Sequence, residues 1–190
     1  RRDKLSGKKK YTIGIDFGAT SVEAVLVDVS NGNLAAASTY SYSNGIITDK
    51  LPNTDVELEE GWALQHPKDY ITALKRTVPK LIKESQIDPS QIIGIGTAFV
   101  GSTLIPTTSD GTPLALIDDY AEEPHAWPKH SRHQAAQEKA KRLSQLAMDR
   151  FETFLDRYGG NINSEWFFPK AWEIYDDSSS IYNAADRLIE

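Results

Sequence analysis

The 190-residue sequence contains no cysteine, a single methionine and no long apolar run. Without cysteine there can be no disulfide framework, thiol nucleophile or cysteine-ligated metal, and the composition suits a reducing compartment. No segment approaches the roughly 20 apolar residues that a membrane-spanning helix needs. Acidic side chains outnumber basic ones by 27 to 21, and the net charge is -6. We therefore expect a cytoplasmic protein with neither nucleic acid nor membrane as its partner.

The basic charge that the sequence does have is concentrated at its start. Residues 1–10 contain six lysines and arginines and almost nothing apolar. This composition predicts a disordered lead-in, with a nucleic-acid-binding arm as the alternative. The remaining residues, 11–190, are predicted to form the folded domain.

The first hundred residues carry the patterns of a mixed sheet. Two segments rich in β-branched residues at 11–17 and 22–29, and a third extended segment at 34–42 after the turn residues 31–33, predict an antiparallel meander. Apolar residues at helical spacing over 67–82 predict a helix that Pro67 opens. The Gly-dotted apolar run at 92–99 predicts a buried strand that enters the same sheet in parallel.

The last third of the chain reads as mainly helical. An extended stretch at 103–106 is followed by helical patterns at 135–154, 166–175 and 181–188. We expect these three helices to form a satellite layer, with Phe151 and Phe154 among the residues that pack in it. The predicted class is therefore an α/β fold with a helical C-terminal layer.

The connection between the first two strands has the features of a phosphate-binding turn. A strand ends at Asp16 and Phe17, and Gly18, Thr20 and Ser21 follow before the next strand begins. Such a turn can aim backbone N–H groups and hydroxyls at a polyphosphate, and a carboxylate at the strand end can hold a hydrated Mg²⁺. An ordinary hairpin with a capping aspartate is the alternative for a pattern this short.

Longer stretches make the first interpretation more specific, because the sequence resembles the N-terminal part of bacterial ribulokinases. These enzymes belong to the FGGY carbohydrate kinases within the actin-like ATPase superfamily. The resemblance rests on YTIGIDFGATS (11–21) with AVLVD behind it, LPNT (51–54), WALQHPKDY (62–70), IIGIG and FVGST (92–103), and RYGG with SEWFFPKAW (157–172).

The resemblance implies a ribonuclease-H-like fold and Mg²⁺-dependent transfer of the ATP γ-phosphoryl group to L-ribulose or a related 2-ketopentose. It assigns Asp16, Gly18, Thr20 and Ser21 to the nucleotide phosphates, Asp16 also to the metal, and Gly101 and Ser102 to the sugar. It assigns no catalytic base to this chain. The base, the rest of this lobe and the nucleotide lobe are expected beyond position 190. We therefore expect the isolated chain to be inactive, and either to expose an apolar patch on the face that they would cover or to cover it by self-association.

The sequence also departs from the family pattern at polar positions. Ala19 replaces a hydroxyl residue of the turn, and Glu23 stands where a basic residue is common. Ala98 and Val100 replace an aspartate and a threonine, and Ser131 replaces a tryptophan near the sugar. An anion beside a triphosphate is repulsive by about 1 kcal/mol in water at about 4 Å. A non-catalytic scaffold or partner-binding domain, natural or engineered, is therefore the alternative function.

Two further groups of residues could belong either to a functional site or to the structural framework of the fold. His125, His130 and His133 lie within nine positions, and we interpret them as a solvated polar turn and not as a metal site. The tryptophans could form a sugar-stacking platform, but their spacing favours core packing for all except Trp127.

Overall fold

The computed structural model describes residues 9–190, which divide into two compact units. The first unit contains the chain up to Ser43 and residues Tyr70–Phe99, and the second contains Asn44–Asp69 and Val100–Glu190. Most of the predicted basic lead-in lies outside the described residues. Of its last two residues, Lys9 approaches the buried carboxylate of Asp28 at 3.7 Å.

The first unit is built on a four-stranded mixed sheet. Its strands are β1 (Tyr11–Phe17), β2 (Ser21–Asp28), β3 (Leu34–Ser41) and β4 (Ile92–Phe99), in the order β3-β2-β1-β4. β1 is antiparallel to β2 and parallel to β4, and β2 is antiparallel to β3. The predicted meander and the parallel pairing of the strand at 92–99 are both confirmed, but the expected burial of that strand is wrong, because most of its residues are exposed. Helix α1 (Pro67–Ser85) connects the meander to β4.

One face of this sheet carries the core of the first unit. Alternate residues of β1 and β2 point to the same face, as the period of two requires, and they pack with α1. β4 is less covered than its neighbours, since Ile95 and Phe99 are 63% and 58% exposed. The buried set comprises Ile13, Ile15, Val22, Ala24 and Leu26 from the strands with Ala73 and Leu81 from α1.

The second unit contains four of the five α-helices of the described residues, three 3-10 turns and long loops, and it has its own core. The core joins Leu64, Leu104 and Trp127 to Ile174 and Ile181. The elements are β5 (Ile105–Thr107), α2 (Gln137–Asp149), α3 (Phe154–Arg157), α4 (Phe167–Asp177), α5 (Ser179–Ala184) and β6 (Arg187–Ile189). A helical layer near the C-terminus is therefore confirmed.

Several predicted boundaries in this unit are wrong. The helix expected over 135–154 ends at Asp149, and Phe151 then takes a left-handed backbone conformation with φ of 54°. Phe151 is 89% exposed and so is not a packing residue. The helix expected up to residue 188 ends at Ala184, because Arg187–Ile189 pairs antiparallel with Ile105–Thr107.

No helix within residues 9–190 is both long enough and apolar enough to cross a membrane.

Candidate functional site

The candidate phosphate turn is a tight connection between β1 and β2. The Gly18 N–H donates to the Ser21 carbonyl at 2.9 Å, and the Tyr42 N–H donates to the Thr20 carbonyl at 2.8 Å. A Cβ on Gly18 would lie 3.1 Å from the Ser21 oxygen, so a larger residue would push the turn apart. The turn thus holds Asp16, Gly18, Thr20 and Ser21 in one hairpin, but the Gly18 N–H is already used within it.

Two of the departures from the family pattern lie on either side of Asp16. Glu23 is its direct cross-strand partner on β2, and Ala98 is its partner on β4. All three residues line one groove of about 360 Å³, whose floor includes Gly14 and Gly96. Asp16 and Glu23 are both exposed to solvent there. The groove therefore presents two neighbouring carboxylates and lacks the third that an aspartate at position 98 would add.

The candidate sugar segment, Gly101 and Ser102, lies in a short loop of the second unit. Ser102 has a φ of 62°, which is unusual for a residue other than glycine. Its N–H donates to the Glu190 carboxylate, and its carbonyl accepts a 2.7 Å hydrogen bond from the Lys170 ammonium. The Thr103 hydroxyl donates to the Val100 carbonyl at 3.1 Å. The loop is thus held through its backbone by charged side chains.

A buried polar cluster in the second unit was not predicted from the sequence. The Ala63 N–H donates to Nδ1 of His133 at 3.2 Å, so the ring proton belongs on Nε2, which donates to Glu173 at 2.9 Å. The Lys129 ammonium lies 3.3 Å from the Glu173 carboxylate and 4.0 Å from the centre of the Trp62 ring. Lys129, His133 and Glu173 are almost completely buried.

The charge states of this cluster follow from burial and pairing. Burial lowers the pKa of Lys129 to about 8, against the opposing effect of Glu173. Burial and the nearby Lys129 lower the pKa of His133 to about 4. Burial alone would raise the pKa of Glu173, but Lys129 and the hydrogen bond from His133 lower it to about 2. At neutral pH the cluster is therefore a lysine–glutamate ion pair with a neutral histidine.

The histidines of the second unit are not a solvated turn, so that prediction is wrong. His130 and His133 are 1% and 0% exposed. The rings of His125 and His133 both make edge contacts with Trp62, at 4.9 and 5.0 Å between centroids. Trp127 is also buried, although the sequence spacing set it apart from the core. Across residues 9–190 no group of three or more histidine, aspartate or glutamate side chains could hold a metal ion.

The mixed sheet, its crossover helix and the hairpin after β1 define an α/β domain of the ribonuclease-H-like, actin-like ATPase type. Among solved structures, the chain resembles a gluconate kinase from Lactobacillus acidophilus with a TM-score of 0.67 and 22% identity. It also resembles a xylulose kinase from Rhodospirillum rubrum with a TM-score of 0.69 and 16% identity. These likenesses cover 96% and 94% of this chain, and 31% and 32% of those chains. They confirm the predicted fold class.

Sequence comparison then identifies the family. The N-terminal domain of the FGGY family of carbohydrate kinases matches residues 11–154. The chain therefore belongs to the FGGY family. It is 45% identical over 181 residues to a ribulokinase of Halalkalibacterium halodurans, and 43% identical over 185 residues to one of Mycolicibacterium smegmatis. These matches cover 95% and 97% of this chain but only 32% and 33% of those proteins.

Proposed function

We propose that this chain acts as the N-terminal part of a ribulokinase-type sugar kinase. The reaction is transfer of the ATP γ-phosphoryl group to a hydroxyl of L-ribulose or a related 2-ketopentose, in pentose catabolism. The single observation that carries the proposal is the hairpin from Asp16 to Ser21, which belongs to a domain 45% identical to a ribulokinase. The chain spans about a third of that relative's length, so the complete reaction requires more than these residues.

The residues of this chain suit the binding of the metal, the phosphates and the sugar in this reaction. Asp16 and Glu23 offer neighbouring carboxylate oxygens at one groove, a donor type that Mg²⁺ prefers. A bound Mg²⁺ would neutralise charge on the phosphates during transfer. Thr20 and Ser21 supply hydroxyls at the turn, and Gly101 and Ser102 are proposed to contact the sugar.

Proton transfer from the attacking hydroxyl is not assigned to this chain. When that oxygen bonds to the γ-phosphorus, the bond to the β–γ bridging oxygen breaks and the proton passes to a carboxylate base. We propose that the base, the rest of this lobe and the nucleotide lobe belong to the remaining length of the kinase. The isolated 190-residue chain is accordingly expected to form no ribulose phosphate.

A non-catalytic scaffold or partner-binding role is the second candidate, and one observation favours it. Glu23 and Ala98 flank Asp16 on both sides, so the changed positions meet at the very residue that would hold the metal. In this role the chain would keep the fold and bind neither sugar nor nucleotide. A cytoplasmic location and self-association are proposed in both cases.

Amide NMR with Mg²⁺ and ATP distinguishes the two functions. For the kinase part, added Mg·ATP should shift the amide signals of Asp16, Thr20 and Ser21, and Asp16→Asn should remove the Mg²⁺ dependence of those shifts. Asp119→Asn, which changes an exposed carboxylate of the second unit, is the matched control and should leave the response intact. Signals that stay fixed in the wild type at every ligand concentration would favour the scaffold role.

A further inference from the structure

Helix α4 directs two buried charged side chains, one turn apart, at the loops of the second unit. Glu173 pairs with Lys129 and His133. Lys170 carries its ammonium to three backbone carbonyls, those of Ser102 and His130, each at 2.7 Å, and that of Lys129 at 3.4 Å. Lys170 is fully buried. Burying an ammonium is costly unless strong hydrogen bonds replace the water around it. The carbonyl contacts of Lys170 must therefore compensate for its lost hydration.

The same loop is anchored a second time through the backbone. The Lys129 N–H donates to the Leu104 carbonyl at 2.8 Å, and the Leu104 N–H donates back to the Lys129 carbonyl at 3.2 Å. Because the Lys129 side chain is paired with Glu173, α4 restrains the loop both at Ser102 and two residues later. Lys129 also forms an isolated antiparallel β-bridge with Leu64. The loop is therefore attached to a rigid frame and not to a flexible surface.

The backbone of Ser102 requires such a restraint. A left-handed conformation is unfavourable in a residue other than glycine, and it persists only where the surroundings enforce it. In Ser102 the N–H is bound by the Glu190 carboxylate and the carbonyl by the Lys170 ammonium. Hydrogen bonds to charged groups are stronger than those between neutral groups. Lys170 can therefore hold a conformation that the chain would not adopt by itself.

We propose that Lys170 is a positioning residue, which fixes the left-handed backbone of Ser102 and thereby presents the Gly101–Ser102 loop to the sugar. The second half of this inference rests on the proposed function, whereas the first half stands on the loop alone. Lys170 acts through the backbone of its neighbours, and no contact between its own side chain and a substrate is required.

The charge of Lys170 provides a direct readout. Burial and the neighbouring Lys129 lower its pKa to about 8, while Glu165, Glu173 and Glu190 act in the opposite direction. The ammonium in turn helps to lower the pKa of His130, after the larger effect of burial. Loss of the Lys170 proton should weaken its contacts with the Ser102 and His130 carbonyls together.

The first experiment is a pH titration of the wild-type chain by carbonyl ¹³C NMR. The Ser102 and His130 carbonyl signals should move with one common midpoint near pH 8. Separate midpoints for the two carbonyls, or carbonyl signals that stay fixed while the Lys170 ammonium itself loses its proton, would overturn the positioning role. This experiment needs no variant, so it decides the question even if a substitution prevents folding.

The second experiment compares Lys170→Met with Lys141→Met, which removes an exposed lysine paired to Glu138. The first variant should shift the amide signals of Gly101 and Ser102 and abolish the common titration of the Ser102 and His130 carbonyl signals, and the control should leave both unchanged. Unchanged loop signals in a folded Lys170→Met chain would contradict the inference.

L-Ribulose added to the same samples separates this inference from the proposed function. If the wild type binds the sugar, Lys170→Met should weaken binding about tenfold or more, since small misplacements are costly. If the loop titrates as expected but the wild type does not respond to L-ribulose, the sugar assignment fails and the backbone role of Lys170 stands. Equal sugar binding by wild type and Lys170→Met would show that the loop needs no positioning for it.

Discussion

Asp16 and Glu23 are direct cross-strand neighbours on β1 and β2, with both carboxylates on the open side of the sheet. Directly opposed side chains in antiparallel strands have Cβ atoms about 5 Å apart, and like charges at that distance destabilise the pair. The same juxtaposition that offers two ligands to a cation thus repels an unshielded phosphate.

Replacing Glu23 by arginine should remove this repulsion and create an attractive pair with Asp16. We expect the free energy of unfolding to rise by roughly 0.2 to 1 kcal/mol, with tighter binding of ATP in the absence of Mg²⁺. Urea denaturation and calorimetric titration measure the two effects. Glu152→Arg, an equal charge change at an exposed position of the second unit, should reproduce neither, and a matching gain in both variants would mean that only net charge matters.

Replacing Ala98 by aspartate should place a third carboxylate beside Asp16 in the groove. Without a divalent cation the chain should lose stability through repulsion, and Mg²⁺ should restore the loss by binding the native state. The test is thermal unfolding with and without Mg²⁺. Ala35→Asp on the exposed β3 is the control, and Mg²⁺ should not stabilise it more than the wild type.

The buried histidines should make the chain sensitive to acid. Burial, foremost, lowers the pKa of His125 to about 3 and of His130 and His133 to about 4, from 6.5. The unfolded chain therefore binds more protons below pH 6.5, so stability is complete above that pH and falls as the pH drops toward 4. Each fully buried histidine can account for about 3 kcal/mol at most. Urea unfolding at pH 7, 5.5 and 4.5 should show this fall, and a flat profile would contradict it.

His130 offers a specific variant for the same effect. Its Nδ1 accepts from the Arg132 N–H at 3.1 Å, but its Nε2 has no partner among residues 9–190. His130→Leu should remove a proton-binding group and an unsatisfied donor, which costs about 1 to 3 kcal/mol when buried. The variant should gain more stability relative to wild type at pH 5 than at pH 8. Equal differences at the two pH values would show that His130 does not titrate with unfolding.

Glu173 and Lys129 should depend on each other for stability. Glu173→Gln leaves a buried ammonium without its counter-charge, and we expect a loss of about 3 to 5 kcal/mol. The double change Lys129→Met with Glu173→Gln removes both charges and keeps an acceptor for His133, so most of the loss should be recovered. Denaturant unfolding of the two single variants and the double variant measures the coupling. Additive losses would disprove it.

The sheet of the first unit could be predicted from sequence because the patterns that specify its strands lie within short continuous stretches of the chain. Alternation in 11–17 and 22–29 sets the buried face, and the tight turn at Gly18 sets the pairing. β6 could not be predicted in this way, because three residues carry little periodicity and their strand state depends on pairing with Ile105–Thr107.

The same limit applies to the candidate site. The residues of the hairpin share one continuous motif, so their grouping follows from the sequence. Lys129 and Glu173 are 44 positions apart, and only the packing of α4 brings them together. Charged residues are ordinarily placed on the surface, so sequence patterns gave no signal that Lys129, Lys170 or Glu173 would be buried.

The exposure of β4 has a consequence for handling the protein in concentrated solution. Within residues 9–190 this strand pairs with β1 along one side only, and Ile93, Ile95 and Phe99 are each more than half exposed. An apolar strand with a bare edge is a template on which another chain can extend the sheet. The net charge of -6 is spread over the whole chain, whereas the eight residues of β4 itself carry no charge to oppose such growth. This strand is therefore one surface through which chains can associate, and Ile95→Lys should raise the concentration at which the protein precipitates.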